Sequence, residues 1–124
     1  MHFPGEVEAR RRIGTRYSEK LRSVCTVPEI MPGNTHVYAQ YTIRVPRRDD
    51  VAEQLKAKGI PTAMYYPKCL HEQPVFASCG YKWGDFPVSE KASREVLSLP
   101  MHPFLAEQEQ DRGIEALTTA VAAA

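Results

Sequence analysis

Ten prolines against seven glycines in a chain of 124 residues set the first limit on how it can fold. A proline inside a helix removes one hydrogen bond and clashes with the preceding turn, and in a central strand it removes a ladder donor. Regular elements must therefore fit between the prolines. From Gly5 to about Val24 there is neither proline nor a β-branched run, and Val7, Ile13, Tyr17, Leu21 and Val24 recur at roughly helical spacing. Arg12, Arg16 and Lys20 form a stripe at four-residue steps, with Glu8 one turn upstream. Pro28, Pro32 and Gly33-Asn34 mark residues 25–35 as a loop.

His36 to Val45 alternates: Val37, Ala39, Tyr41, Ile43 and Val45 face one way, and His36, Tyr38, Gln40, Thr42 and Arg44 the other. Pro46 ends that strand. Asp50 with Glu53 three residues on reads as an acidic capping box for a helix over 50–58, with Val51 and Leu55 inward and Gly59 as its stop. Ile60–Tyr66 reads as a strand closed by Pro67, and 68–87 as a loop with one helical turn. Ser89–Leu97 reads as a helix around Ala92 and Val96, and Leu97–Met101 as a short third strand. The last helix starts near Glu107, with Ile114, Leu117 and Val121 inward. Three strands separated by helices predict an α+β two-layer fold, a small and largely antiparallel sheet covered by helices mainly on one face.

The length suits one domain, and 43% hydrophobic with 25% charged residues is an ordinary globular composition. A net charge of +1 supplies no bulk field for nucleic acid or an anionic membrane. No apolar run approaches the roughly 20 residues of a membrane span. The start, Met1-His2-Phe3-Pro4-Gly5-Glu6, lacks the basic and apolar regions of a secretory leader. Cys25, Cys69 and Cys79 are an odd count, which suits a reducing cytoplasm better than a disulfide framework.

The densest group of chemically capable side chains is Tyr65-Tyr66-Pro67-Lys68-Cys69-Leu70-His71-Glu72-Gln73-Pro74, where a strand passes into a proline-bounded loop. Tyrosine hydroxyls, a lysine and a histidine there can bind an anion, orient a sugar hydroxyl or move a proton. Aromatic residues at a strand end also serve as core, and a loop histidine is often simply solvated, so the residues alone leave both readings open. Cys69 with His71 is a poor nucleophile–base pair, because side chains two apart on a loop seldom meet. No C-x-x-C or H-x-x-x-H occurs, so no zinc site is expected. Arg10-Arg11-Arg12 with Arg16 reads as a solvated helix face rather than a phosphate site. Gly80-Tyr81-Lys82-Trp83-Gly84 lacks the spacing of a phosphate loop.

Several longer strings carry more information. They are Tyr38-Ala39-Gln40-Tyr41-Thr42-Ile43-Arg44; Gly59-Ile60-Pro61-Thr62-Ala63-Met64-Tyr65-Tyr66-Pro67 with Leu70-His71-x-Gln73-Pro74; Gly84-Asp85-Phe86-Pro87-Val88-Ser89-Glu90-Lys91-Ala92; and Leu97-Ser98-Leu99-Pro100-Met101-His102-Pro103. With the leading Glu8–Tyr17 segment, they resemble the C-terminal part of the DegT/DnrJ/StrS sugar aminotransferases, over about residues 3–121. That family uses pyridoxal phosphate (PLP) to aminate keto-sugars carried on nucleotides, for surface polysaccharides or secondary metabolites.

The resemblance implies one domain over 1–124, similar to the small domain of fold-type I PLP enzymes, with residues 1–24 as a connecting helix and 36–121 as the sheet-and-helix core. It implies that the family's lysine-bearing cofactor domain would precede residue 1. No catalytic or cofactor-binding residue is therefore expected within this chain, and PLP belongs to the assembled enzyme. Tyr65, Tyr66 and His71 correspond to the substrate side of the nucleotide-sugar pocket, Tyr65 standing where many members carry His; Phe76 is expected to line the same pocket. Arg44 is expected to pair with Asp49 or Asp50. Two readings follow: a part of a sugar aminotransferase, inactive alone, or a free-standing binding module that kept the fold. A partner large domain or a second copy of the chain is expected to cover its exposed apolar surface; nucleic acid and membrane are not expected partners.

Overall fold

A computed structural model describes residues 2–124. In chain order the elements are helix α1 (Phe3–Leu21), strand β1 (Tyr41–Arg44), helix α2 (Arg48–Ala57), two 3-10 turns (Leu70–Glu72 and Pro74–Cys79), helix α3 (Pro87–Glu95), strand β2 (Val96–Leu99) and helix α4 (Glu107–Ala123). The fold is α+β, as expected.

Helix α1 begins with Pro4 in its first turn, where a missing N–H costs nothing. Ile13, Tyr17 and Leu21 bury one face at four-residue steps, and Gly14 and Ser18 lie beside them. Helix α4 packs against both α1 and α2, burying Ile114, Ala116, Leu117 and Ala120. Gln110 is also buried: it donates to the Ile13 carbonyl at 2.8 Å and accepts from Arg16 at 3.0 Å, so its amide carries no unpaired polar group into the interface.

Strands β1 and β2 are antiparallel, with Tyr41 opposite Leu99 and Ile43 opposite Leu97. Their flanks continue as single bridges, Thr26 to Arg44 on one side and Ala63 to Ser98 on the other. The expected strand over Ile60–Tyr66 is thus reduced to one bridge. The backbone explains this. Two residues from the Ala63–Ser98 pair, the register sets Pro61 opposite Pro100, and neither has an N–H to give. Two residues the other way lies Val96, whose N–H bonds Ala92 and whose carbonyl accepts from Arg48.

The expected strand over His36–Val45 is shorter as well. Tyr38 adopts a left-handed conformation (φ 47°) and reverses the alternation, so that Tyr38 is buried and Val37 is 46% exposed. Arg10 donates to the Tyr38 and Ala39 carbonyls at 3.1 and 3.2 Å, and the Tyr38 N–H bonds His36 Nδ1 at 2.8 Å. The Tyr38 ring lies against Gly14, where a Cβ would collide with it.

Helix α2 starts earlier than the capping box suggested. Its N-cap is Arg47, in a left-handed conformation with no side-chain cap, and Asp49 and Asp50 pair with Arg48 and Arg47 in the first turn. The reason is Arg48, which is 6% exposed and donates to the Ser93 and Val96 carbonyls at 3.1 and 2.9 Å. That tie draws residue 48 into the helix. The C-terminal stop at Gly59 is as expected: Ile60 N–H bonds Leu55 O and Gly59 N–H bonds Lys56 O around a left-handed glycine (φ 74°).

Helix α3 begins at Pro87 rather than Ser89, and ends at Glu95, leaving Val96 and Leu97 to β2. Arg44 pairs with Glu95 at the end of α3, not with Asp49 or Asp50. The register decides this, because Arg44 lies opposite Val96.

Candidate functional site

The long segment between the Ala63 bridge and α3 encloses a cavity of about 720 Å³. Tyr65, Tyr66, His71 and Phe76 all line it, and so do Tyr81, Phe86 and Lys68. The backbone is shaped by local hydrogen bonding. Glu72 reaches back to the Cys69 N–H at 2.9 Å and tightens the first 3-10 turn. Pro74 opens the second turn, and Gly80 (φ 77°) ends it in a conformation disfavoured for other residues. Pro87 then starts α3.

His71 is the most enclosed of these groups, with 6% of its side chain exposed. Its Nε2 lies 2.9 Å from Glu90 Oε1, and its ring packs on Phe86 with centroids 4.9 Å apart. Phe86 in turn meets Tyr81 edge-on at 5.0 Å. The Tyr65 and Tyr66 rings are edge-to-face at 6.0 Å and open to solvent, 45% and 74% exposed. The site is a mostly apolar wall that includes five aromatic rings, and His71 in that wall is bonded to the buried Glu90 behind it.

Glu90 went unrecognised as a site residue in the sequence. Its carboxylate, 2% exposed, accepts from His71, from Gly84 N–H at 2.8 Å and from Phe86 N–H at 3.3 Å. Burial pushes its pKa up, but the two backbone donors and the imidazole outweigh burial, and the net shift is downward. The signal was present: an acid one turn into a proline-started helix, downstream of Gly84. Cys69 and His71 are not hydrogen-bonded to each other; His71 Nε2 is bonded to Glu90 instead. Among the described residues no group of three or more His, Cys, Asp and Glu side chains is arranged to hold a metal, and no helix is long and apolar enough to cross a membrane.

The arginine-rich helix face is only partly occupied within the fold, and Arg12 is exposed. Besides Arg10, Arg16 bonds Gln110 and Asp111, and Arg11 lies 3.8 Å from Glu8.

This α+β fold is shared with solved structures of PLP-dependent aminotransferases. Residues 1–118 match the DegT/DnrJ/EryC1/StrS aminotransferase family, and the chain belongs to that family. It is 45% identical over 118 residues to a pleiotropic regulatory protein of Geobacillus stearothermophilus, covering 92% of this chain and 32% of the relative. It is 42% identical over 104 residues to the UDP-2-acetamido-2-deoxy-3-oxo-D-glucuronate aminotransferase of Pseudomonas aeruginosa, covering 83% and 28%. DesV of S. venezuelae, solved in complex with a ketimine intermediate, superposes with a TM-score of 0.91 at 30% identity, covering 95% of this chain and 32% of that one. The chain thus spans about a third of the length of the proteins it matches.

The family's enzymes depend on PLP, and the residues present do not fit that cofactor. Such a site needs an amine beside the aldehyde and donors for the phosphate. Lys68 is the cavity's lysine and is exposed. The Gly84 and Phe86 N–H groups, ahead of α3, are both taken by Glu90. Lys20 is paired with Asp111, Lys56 lies near Glu53 and Lys91 near Glu95.

Proposed function

We propose that this chain forms the substrate-side wall of a PLP-dependent nucleotide-sugar aminotransferase, with cofactor-binding groups supplied from outside these residues, and that it does not transaminate alone. The observation that carries the reading is that Tyr65, Tyr66, His71 and Phe76 converge on one cavity. In this reading Tyr65 and Tyr66 offer hydroxyls to the sugar or its diphosphate, and Phe76 and Phe86 supply flat apolar surface. His71 offers a fixed polar atom at the base. The protein works in the cytoplasm, where sugar nucleotides are made.

Tyr66, Leu70, Val75 and Val88 are each at least 74% exposed. Apolar surface of this kind favours a partner, either a large domain or a second copy. A second reading, a free-standing binding module, draws on the cavity of about 720 Å³ that these residues form without a large domain.

Two measurements test the proposal. After incubation with PLP and borohydride reduction, peptide mapping should find label scattered over exposed lysines such as Lys56, Lys58 and Lys91. Stoichiometric label on Lys68 with glutamate-dependent loss of the aldimine band would overturn it. In a preparation complemented by a lysine-bearing family domain, Tyr66→Phe and His71→Ala should weaken UDP-sugar binding and leave cofactor absorbance in place. Tight UDP-sugar binding by the chain alone would favour the binding module.

A further inference from the structure

The His71–Glu90 pair has a directionality that the pocket's outline does not reveal. Glu90 is an acceptor: its Oε1 takes two backbone N–H groups that have no other role for it to answer. The imidazole nitrogen facing it at 2.9 Å must then be the donor. His71 Nδ1 has no partner within the protein, yet it is not sealed from solvent, because the only buried side-chain nitrogen or oxygen without a partner among the described residues is Arg11 Nε. The ring itself lines the cavity. A histidine nearly closed off from water thus keeps one nitrogen bound to the protein and the other available.

We propose that Glu90 is a positioning residue that orients His71 with Nε2–H toward α3 and Nδ1 toward the cavity, so that the neutral ring presents an acceptor to a ligand hydroxyl. The orientation stands on the geometry alone; the hydroxyl ligand rests on the nucleotide-sugar reading above. In the neutral ring Nε2 holds the single proton, leaving a lone pair on Nδ1. A sugar hydroxyl, a donor of modest size and no charge, matches that lone pair. Phe86 packs against the ring and limits its rotation.

Nitrogen-15 labelling of the histidines in the full chain tests this through the ring protons, at mildly alkaline pH. The wild-type protein should show a downfield Nε2–H resonance for His71, exchanging with water at least about tenfold more slowly than in Glu90→Ala, as loss of a charge-assisted bond demands. Glu90→Gln keeps a side-chain oxygen for the three donors and should restore the resonance with intermediate exchange. A proton on Nδ1 in the wild type, or equal exchange in wild type and Glu90→Ala, would overturn the proposal. If Glu90→Ala does not fold, exchange in Glu90→Gln identical to wild type would overturn it instead. In the preparation complemented by a lysine-bearing family domain, added UDP-N-acetylglucosamine should move the Nδ1 shift and leave Nε2–H in place. No response to that ligand, with Nε2–H protected as described, overturns the nucleotide-sugar reading while the tautomer result supports the role of Glu90.

Discussion

Arg44 donates through both Nε and Nη2 to one oxygen of Glu95, at 2.9 and 2.6 Å, tying the end of β1 to the last turn of α3. Both side chains are partly exposed, 39% and 25%, so water screens the pair. Arg44→Ala should lower unfolding free energy in urea by about 1 kcal/mol, with the loss shrinking at high salt. A cost that is unchanged by salt would mean that the stem of Arg44, not its charge, does the work.

Two glycines in helices should respond to alanine in opposite directions. A Cβ at Gly14 would fall less than 3.0 Å from three carbons of the Tyr38 ring, and the left-handed Tyr38 backbone leaves that ring little freedom to move. Gly14→Ala should cost roughly 1–3 kcal/mol by overpacking. Gly113 in α4 has nothing within 4 Å of such an atom. Gly113→Ala should stabilise by roughly 0.5–1 kcal/mol, because glycine loses more backbone freedom in a helix. Thermal denaturation of the two variants checks both signs.

The acid limb of stability should depend on Glu90. Its folded pKa lies below the ordinary 4.5, the backbone donors and His71 overcoming the opposing effect of burial. The unfolded chain therefore takes up this proton first as pH falls. The stabilisation is complete above pH 4.5 and is lost as pH drops through the folded value. Glu90→Gln, which has no such proton to bind, should show a flatter decline over that range; parallel curves would count against the linkage.

Thiol reactivity should separate the three cysteines. Burial pushes the Cys25 thiol up to about 11, so at pH 8 only about one molecule in a thousand holds a thiolate there. Cys79 is exposed. Ellman's reagent should modify Cys79 first and Cys25 only after unfolding. Simultaneous reaction of all three thiols in the native chain would refute this.

The helices and their inward faces were legible in the sequence because their information is local. Ile13, Tyr17 and Leu21 stand one turn apart on α1, Ile114 and Leu117 on α4, and Gly59 provides the left-handed residue that ends α2. The loop with Tyr65, Tyr66, His71 and Phe76 stood out for the same reason: its reactive side chains are neighbours in the chain, and the prolines around it exclude a long helix or strand.

Tertiary structure decided what depends on distant partners. Whether Ile60–Tyr66 is a strand turned on Pro61 meeting Pro100 and on the Val96 groups being already bonded, facts of register that no local pattern contains. Arg48 became part of α2 because two carbonyls 45 and 48 residues downstream needed a donor. His71 acquired its orientation from Glu90, 19 residues on, when α3 brought a buried carboxylate to the base of the loop. Periodicity reports which face of an element avoids water, whereas the pairing of a buried polar group is settled by desolvation, which acts only once the chain has closed around it.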